Sequence, residues 1–140
     1  MTFNLRKATD QDLDLTYKIK QNALQEYLEI LWGWNDDSQR EFHQTEYKKE
    51  YFQIIELQNN PIGYLETIPF DDHIFLANLM ILKQYQGQGI GKIVMKNLIK
   101  NHSKIQLEVL KVNDRAIHFY QDLGFEIMEE MEDSFRMELK

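Results

Sequence analysis

The segment from residue 74 to residue 101 most constrains the fold, because it joins three different patterns without a break. An apolar run, IFLANLMIL, is followed by a stretch in which three of the chain's six glycines lie within five positions, and then by IGKIVMKNLIKN. This last stretch places Ile90, Val94 and Leu98 on one side and lysines on another, which predicts an amphipathic helix. A buried strand, a glycine loop and a helix are therefore expected in that order, and IQLEVL after them predicts a further strand.

Patterns on either side of this segment predict the rest of a mixed sheet. The N-terminal half indicates a short first strand, two helices, and two antiparallel strands in YFQIIEL and IGYLETI that are joined by the turn QNNP. After the crossover, a helix from Asp114 to about Leu123 and a hairpin in FEIMEEMEDSFRMELK are expected. The order β-α-α-β-β-β-α-β-α-β-β predicts an α/β (α+β) fold with a single mixed, mostly antiparallel sheet and flanking helices. Without a linker-like segment, one domain over residues 1–140 is expected.

Capping patterns indicate where the first two helices begin. Thr9 and Asp12 have the spacing of a capping box, and Ser38 with Glu41 predicts a second helix start. The first helix is expected to bury one stripe of large side chains: Leu13, Tyr17, Leu24, Leu28 and Leu31.

Composition and charge limit the classes of function. The chain contains no cysteine, which excludes disulfides, zinc–thiolate sites and a thiol nucleophile. Its net charge of −7, from 16 basic and 23 acidic side chains, argues against general nucleic-acid binding. The four histidines show no metal-ligand spacing, so no metal is expected. One segment departs from this acidic balance, because residues 73–107 contain no Asp or Glu but five lysines: Lys83, Lys92, Lys96, Lys100 and Lys104.

The apolar segments are too short for membrane targeting. The first residues lack the apolar stretch of a signal peptide, and no segment reaches the roughly 20 apolar residues of a membrane span. A cytoplasmic protein without a membrane partner is therefore expected, and a homodimer stays open.

The glycine segment, QGQGIG from Gln86 to Gly91, has the form of an anion site. Free amides and the positive end of a helix dipole converge where a strand and a glycine loop lead into a helix. A Walker A loop requires Gly at position 86 and Ser or Thr at position 93, where the chain has Gln86 and Ile93. A dinucleotide fingerprint starting at Gly87 requires glycine at position 92, which is Lys92. The remaining pattern, Q/R-x-x-G-x-G/A, is met in full. The alternative interpretation of the glycine segment is a strand-to-helix turn that binds no ligand.

Two motifs, in this order and at this spacing, resemble the GNAT N-acetyltransferase family. Gln86, Gly89 and Gly91 match the family's pyrophosphate-binding signature. NDRAIHFYQDLGF, which begins at Asn113, matches the family pattern N-x-x-A-x-x-x-Y, whose tyrosine is Tyr120, and continues with the usual Leu-Gly-Phe. LRKATDQDL near the start also resembles the family's first strand and helix cap, so the resemblance covers essentially the whole chain. It implies the GNAT-like acyl-CoA N-acyltransferase fold.

The resemblance implies transfer of the acetyl group of acetyl-CoA to an amine of a small molecule or peptide by direct attack. The last residues of the central strand would pair with the pantetheine arm, and the amide of Ile81 or a neighbour would donate to the thioester oxygen. The residues implied to bind acetyl-CoA are Leu79, Met80, Ile81, Leu82, Gln86, Gly87, Gln88, Gly89, Ile90, Gly91, Lys92 and Asn113. Asn113 also suits the N-cap of the following helix, so both roles stay open.

Two catalytic residues follow from the same resemblance. Tyr120 matches the family's general acid, and because a free phenol has a pKa of about 10 and a free thiol about 8.5, a hydrogen bond to the thiolate would help without complete proton transfer. Glu108 occupies a position that resembles the catalytic glutamate of the family's protein N-terminal acetyltransferases, and Glu66 is the second candidate for the base. A chain of water molecules is the third candidate for accepting the proton. The other readings are helix packing for Tyr120 and a solvent-facing strand position for Glu108.

The acceptor site is indicated only by features that this chain does not share with the family motifs. Trp32 and Trp34 lie beside the junction of the first two helices, a region that lines the acceptor side in this fold. Trp34 is the preferred substrate contact because Asp36 and Asp37 follow it, and an amine cation near a tryptophan face gains roughly 0.5–2 kcal/mol. Either tryptophan could instead fill the core.

Two other functions remain open at this stage. A non-catalytic acyl-CoA binding or sensing module would share the glycine loop but would not require Glu108 or Tyr120. A nucleotide-binding protein unrelated to acyl transfer would share only the glycines.

Overall fold

The computed structural model describes residues 3–140. Over that range, seven strands and four α-helices follow the predicted order. The strands are β1 (Phe3–Lys7), β2 (Phe52–Leu57), β3 (Asn60–Pro69), β4 (Ile74–Ile81), β5 (Ile105–Leu110), β6 (Glu126–Glu130) and β7 (Ser134–Leu139). The helices are α1 (Leu13–Leu31), α2 (Asp36–Glu46), α3 (Ile90–Asn101) and α4 (Asp114–Asp122).

The strands form one mixed sheet in the order β1-β2-β3-β4-β5-β7-β6. The pairs β1–β2, β2–β3, β5–β7 and β6–β7 are antiparallel, whereas β4 and β5, which flank α3, are parallel at residues 74–76 and 105–107. The predicted mixed sheet with a parallel crossover is confirmed. The position of β7 between β5 and β6 was not predicted, because a hairpin pattern does not say which of its two strands joins the sheet.

The chain divides into two compact units. The first contains Met1–Glu66 and Asn78–Gly91, and the second contains Thr67–Ala77 and Lys92–Lys140. The first unit therefore holds α1, α2 and the glycine segment, and the second holds β5, α4 and the terminal hairpin.

The helix α1 packs in the first unit through a cluster of buried apolar side chains from the helix and the strands. They are Ala8, Ile19, Ala23, Phe52, Ile54, Tyr64 and Met80. The predicted stripe on α1 is partly wrong, since Tyr17 and Leu28 are buried but three of its members are only half-buried: Leu13, Leu24 and Leu31.

Two polar residues of α1, Thr16 and Lys20, are buried instead, which an apolar pattern could not indicate. Thr16 Oγ1 lies 2.8 Å from Nε2 of His43 on α2. Burial lowers the pKa of His43 to about 4, and the charge of Lys20 adds to this effect. The contact between α1 and α2 therefore includes a hydrogen bond between Thr16 and a neutral imidazole.

One of the two predicted helix caps is confirmed and the other is wrong. Thr9 and Asp12 form the capping box, in which the Thr9 amide donates to Asp12 Oδ2 at 2.8 Å. The cap of α2 is Asn35 rather than Ser38, because Asn35 has an extended backbone and its Oδ1 accepts from the Ser38 amide at 2.9 Å. The helix consequently begins at Asp36, which places acidic side chains in its first turn, where the helix dipole favours them.

The helices predicted at α3 and α4 and the strand predicted at β5 are confirmed. The apolar side chains expected to face inward on α3 and β5 are buried: Ile90, Val94, Leu98, Ile105, Leu107 and Val109. Gly124 follows α4 with a φ of 102°, in the left-handed region that favours glycine at a helix exit.

Replacing the cap of α2 tests the corrected helix start. We expect Asn35→Ala to lower the free energy of unfolding by about 0.5–2 kcal/mol, because the Ser38 amide loses its acceptor. Ser38→Ala is the matched control and should change the free energy of unfolding by less than about 0.5 kcal/mol, since the exposed Ser38 contributes its backbone amide. Urea unfolding of both variants provides the measurement. A larger decrease in the free energy of unfolding for Ser38→Ala than for Asn35→Ala would instead identify Ser38 as the cap.

Candidate active site

The last residues of β4 direct their backbone groups to alternate sides. The Leu82 amide donates to the Ile62 carbonyl of β3 at 2.9 Å. The Met80 carbonyl lies so close to Gly63 of β3 that a Cβ on this glycine would collide with it. Because successive residues of a strand direct their N–H and C=O groups to opposite sides, those of Ile81 point away from β3.

The side chain of Gln86 is bonded to this outward-facing group. Its Nε2 donates to the Ile81 carbonyl at 2.8 Å, which is possible because a 3₁₀ turn at Lys83–Tyr85 folds the chain back towards the strand end. The same alternation directs the Ile81 amide away from β3. A hydrogen-bond donor is thereby presented at the end of β4, beside the glycine segment.

The glycine segment forms a cradle at the start of α3. Gly87 and Gly89 have φ values of 78° and 85°, in the left-handed region that side chains rarely adopt. A Cβ on Gly89 would meet no heavy atom within 4 Å, so the backbone conformation rather than crowding requires glycine there. The first amides of the 12-residue helix α3 have no acceptor within the helix, and its first turn contains no acidic residue. This arrangement fits a pyrophosphate.

The helix α1 anchors the 3₁₀ turn that precedes the glycine segment. Asn22 Oδ1 accepts from the Lys83 amide at 2.9 Å, and Lys83 Nζ lies 3.4 Å from Glu26 Oε2. Gln88 connects the segment to this turn, because its Nε2 donates to the Gln84 carbonyl at 3.3 Å. The predicted positions 79–82 and 86–91 are thus brought together by one continuous strand end, loop and helix start.

Glu66 is a half-buried carboxylate on β3 in the first unit. Asn78 Nδ2, from β4, donates to Glu66 Oε1 at 2.7 Å. Burial raises the pKa of Glu66, while the Asn78 hydrogen bond and the charge of Lys20 oppose the rise. A carboxylate that is positioned in this way and has a raised pKa is suited to accept a proton near neutral pH.

Two residues around Glu66 were not predicted from the sequence. Asn78 is the one polar residue within IFLANLMIL, and a polar interruption of a buried strand is a signal that could have indicated it. Lys20 follows Tyr17 by three positions on α1, so the helical period places both on one face. Its Nζ lies 5.0 Å from the centre of the Phe42 ring on α2.

The two tryptophans occupy different environments. The Trp34 ring is half-buried with its centre 6.4 Å from that of Tyr17, and its Nε1 is buried without a hydrogen-bond partner in the described part of the chain. The Tyr17 hydroxyl donates to Asp36 Oδ1 at 2.5 Å, which ties α1 to the start of α2. Trp32, by contrast, is 62% exposed. Of the two, Trp34 is the one that packs against another aromatic ring in the described part of the chain, that of Tyr17.

In the second unit, Glu108 lies on an exposed surface of β5. It is paired in register with Arg136 of β7, whose Nη2 lies 3.8 Å from Glu108 Oε1. Glu129 of β6 binds the same guanidinium at 3.1 Å. Glu108 is therefore one of two carboxylates that share Arg136.

Asn113 precedes α4 as its N-cap, and Tyr120 lies in its last turn. Asn113 Oδ1 accepts from the Ala116 amide at 3.1 Å, so this residue is the helix cap. Tyr120 is buried, and its ring centre lies 5.1 Å and 5.6 Å from those of Phe119 and Phe125. Burial raises the pKa of the Tyr120 hydroxyl.

Across residues 3–140, no three His, Asp or Glu side chains are grouped so that they could hold a metal ion. Over the same residues, no helix has both the length and the apolar character needed to cross a bilayer.

Solved N-acetyltransferases share this fold. The PaiA N-acetyltransferase of Thermoplasma acidophilum, solved in complex with coenzyme A, aligns over 100% of this chain and 99% of its own, with a TM-score of 0.80 and 19% identity. The ribosomal-protein-S18-alanine N-acetyltransferase of Escherichia coli aligns over 99% of this chain and 93% of its own, with a TM-score of 0.74 and 22% identity. At these identities the likeness establishes the fold.

Curated relatives match shorter stretches. The peptidyl-lysine N-acetyltransferase YiaC of Escherichia coli is 38% identical over 55 residues, which are 39% of this chain and 38% of that protein. The thialysine N-epsilon-acetyltransferase of Mus musculus is 36% identical over 73 residues, which are 47% of this chain and 43% of that protein. The chain spans about two fifths of the length of these relatives.

The model of the acetyltransferase (GNAT) family matches residues 16–125. This range includes most of α1, the glycine cradle and the helix that carries Tyr120, so it contains both motifs that carried the resemblance. The match extends over most of the sequence, and this chain belongs to the GNAT acetyltransferase family.

Proposed function

We propose that this protein is an N-acetyltransferase that moves the acetyl group of acetyl-CoA to an amine of a small molecule or peptide by direct attack. One observation carries the proposal: the N–H and C=O of Ile81 face away from β3, and the cradle at residues 86–91 follows them after a single 3₁₀ turn. Relatives named as peptidyl-lysine, thialysine and probable spermine acetyltransferases support an amine acceptor.

The donor would bind along the strand end and the cradle. When bound, acetyl-CoA supplies an acetyl group activated as a thioester. The amides from Gly87 to Gly91 would hold the pyrophosphate, Lys92 would add positive charge, and the Ile81 amide would donate to the thioester oxygen. Because Asn113 uses Oδ1 as the helix cap, its Nδ2 is the group that would serve the cofactor.

Within this proposal, Glu66 is favoured over Glu108 as the general base. A lysine-type ammonium in water has a pKa of about 10.4 and must lose a proton before it can attack. Glu66 is half-buried, is oriented by Asn78 and has a raised pKa, whereas Glu108 is exposed beside Arg136. Trp34 is retained as a contact for the acceptor.

Tyr120 is assigned to the leaving group. Its raised pKa makes complete transfer of the proton to a thiolate less favourable than for a free phenol. We therefore assign it hydrogen-bond donation to the departing sulfur, which would stabilise the developing charge without transferring the proton.

Substitution of Gly89 tests the pyrophosphate cradle. Gly89→Ala should weaken coenzyme A binding by about tenfold or more, because alanine disfavours the left-handed backbone that directs the amides, at about 1–2 kcal/mol. Gly33→Ala is the matched control, since Gly33 also has a left-handed φ of 78° and open space around its Cα. Calorimetry should show unchanged coenzyme A affinity for Gly33→Ala and similar losses of stability in both. Equal affinities of the two variants for coenzyme A would contradict the proposal that residues 86–91 bind the pyrophosphate.

Paired carboxylate variants test the general base. Glu66→Gln should lower kcat by about 100-fold or more, the usual contribution of a general base, while Glu108→Gln should stay within about threefold of the unmodified enzyme. Because the base acts when ionised and burial raises the pKa of Glu66, kcat/KM should rise with pH through a midpoint above the usual glutamate value. Glu66→Gln should abolish this rise. Thiol release measured across pH provides both readouts, and a large loss confined to Glu108→Gln would reverse the assignment.

Tyr120→Phe tests the group that stabilises the thiolate. Phenylalanine retains the packing against Phe119 and Phe125, so thermal unfolding should be little changed. We expect kcat to fall by about 100-fold with an unchanged KM for acetyl-CoA, because the hydroxyl acts only as the thiol leaves. Thiol release with a broad panel of amines is the assay. Tight coenzyme A binding without transfer to any amine would instead identify an acyl-CoA binding or sensing module.

A further inference from the structure

Lys20 is a buried cation on α1 that the proposed chemistry does not use. The residue is 9% exposed, and its ammonium lies over the Phe42 ring at 5.0 Å from the centre. Among residues 3–140, no carboxylate lies within 4.0 Å of the Lys20 ammonium, although several exposed lysines form such pairs. A lysine on a helix ordinarily extends its charge into water, so burial of this one without an ion pair calls for an explanation.

Glu66 and Glu46 are the carboxylates whose charges act on this cation. Burial lowers the pKa of Lys20, and the charges of Glu66 and Glu46 oppose the change. Lys20 and Glu66 influence each other's charge without forming a direct ion pair. The buried Lys20 ammonium therefore keeps its capacity to bind a further anionic group.

The same face of β3 carries a second donor without an acceptor. Tyr64 precedes Glu66 by two positions, so the two side chains share one face of the strand. Its hydroxyl is fully buried and has no hydrogen-bond partner within the described residues. The Tyr64 hydroxyl and the Lys20 ammonium are thus two buried donors of the first unit, and an anionic oxygen is the group that would satisfy either of them.

We propose that Lys20 is a specificity-determining residue that binds a carboxylate of the acceptor, so that the acceptor is an amine of the amino-acid class. This inference rests on the proposed acetyl transfer. The acceptor's carboxylate lies towards Lys20 and its amine towards Glu66, each beside the charge of opposite sign. A polyamine would instead bring a second cation towards Lys20, which repels it.

Matched amines test this assignment without any variant. L-lysine and cadaverine have the same chain and the same terminal amine, and differ by the carboxylate. We expect kcat/KM for acetyl transfer to L-lysine to exceed that for cadaverine by roughly 10- to 100-fold, the effect of one hydrogen bond to a charged group. Calorimetric titration of both amines into the coenzyme A complex should show the same order of affinity.

Variants at position 20 locate the source of the preference. Lys20→Met keeps the apolar stem and removes the charge, so the ratio between L-lysine and cadaverine should fall to about one. Lys20→Arg should retain the preference, and Lys18→Met, which removes an exposed lysine of the same helix, should leave it unchanged. Thermal unfolding of Lys20→Met should be unchanged or shifted upwards, because an unpaired buried charge is removed.

The outcomes separate this inference from the proposed function. Equal rates and equal affinities for the two amines in the unmodified enzyme overturn the inference and leave acetyl transfer intact. A preference for L-lysine that persists in Lys20→Met also overturns it. If no amine is acetylated, the proposed function fails, and the calorimetric comparison of L-lysine with cadaverine still decides whether Lys20 binds a carboxylate.

Discussion

The proposed donor half of the candidate site depends on the direction of the backbone N–H and C=O of one residue, Ile81. The close approach of Gly63 to the Met80 carbonyl and the hydrogen bond from Leu82 to β3 determine which groups of β4 face that strand. The pleat then directs the N–H and C=O of Ile81 outward, and Gln86 Nε2 donates to that carbonyl. Met80 and Leu82 thus keep this strand end in the sheet. Ile81, which lies between them, can present its backbone groups to a ligand. The Met80 side chain is left free to fill the core.

The proposed acceptor half depends on charges that are buried at a cost in stability. An apolar residue at position 20 would stabilise the contact of α1 with the sheet more than an unpaired ammonium does. Glu66 is likewise less stable as a carboxylate in its half-buried position than in water, as the direction of its pKa shows. Polar groups retained in such positions are typical of sites where a ligand completes their interactions.

Local patterns predicted most of the fold, and the errors have identifiable causes. Periodicity placed the strands and helices, and the register of the glycines distinguished the GNAT signature from two nucleotide-binding loops. The cap of α2 was assigned to Ser38 because both Asn35 and Ser38 are good capping residues, and only the extended backbone at Asn35 decides between them. Lys20 was overlooked because a helical lysine is expected in solvent, and Asn78 because its partner Glu66 lies on another strand.

The sequence by itself determined the order of the elements, the glycine cradle and the family, because each depends on residues that are adjacent or a few positions apart. Only the tertiary structure decided which polar side chains face one another. Lys20, Glu66 and Asn78 come from a helix and two strands, and their meeting depends on how α1 lies on the sheet and on the register of its strands. The same holds for the tie between Asn22 and Lys83, 61 positions apart. Such contacts produce no periodic pattern in the sequence, because they depend on how the helices and strands pack against one another.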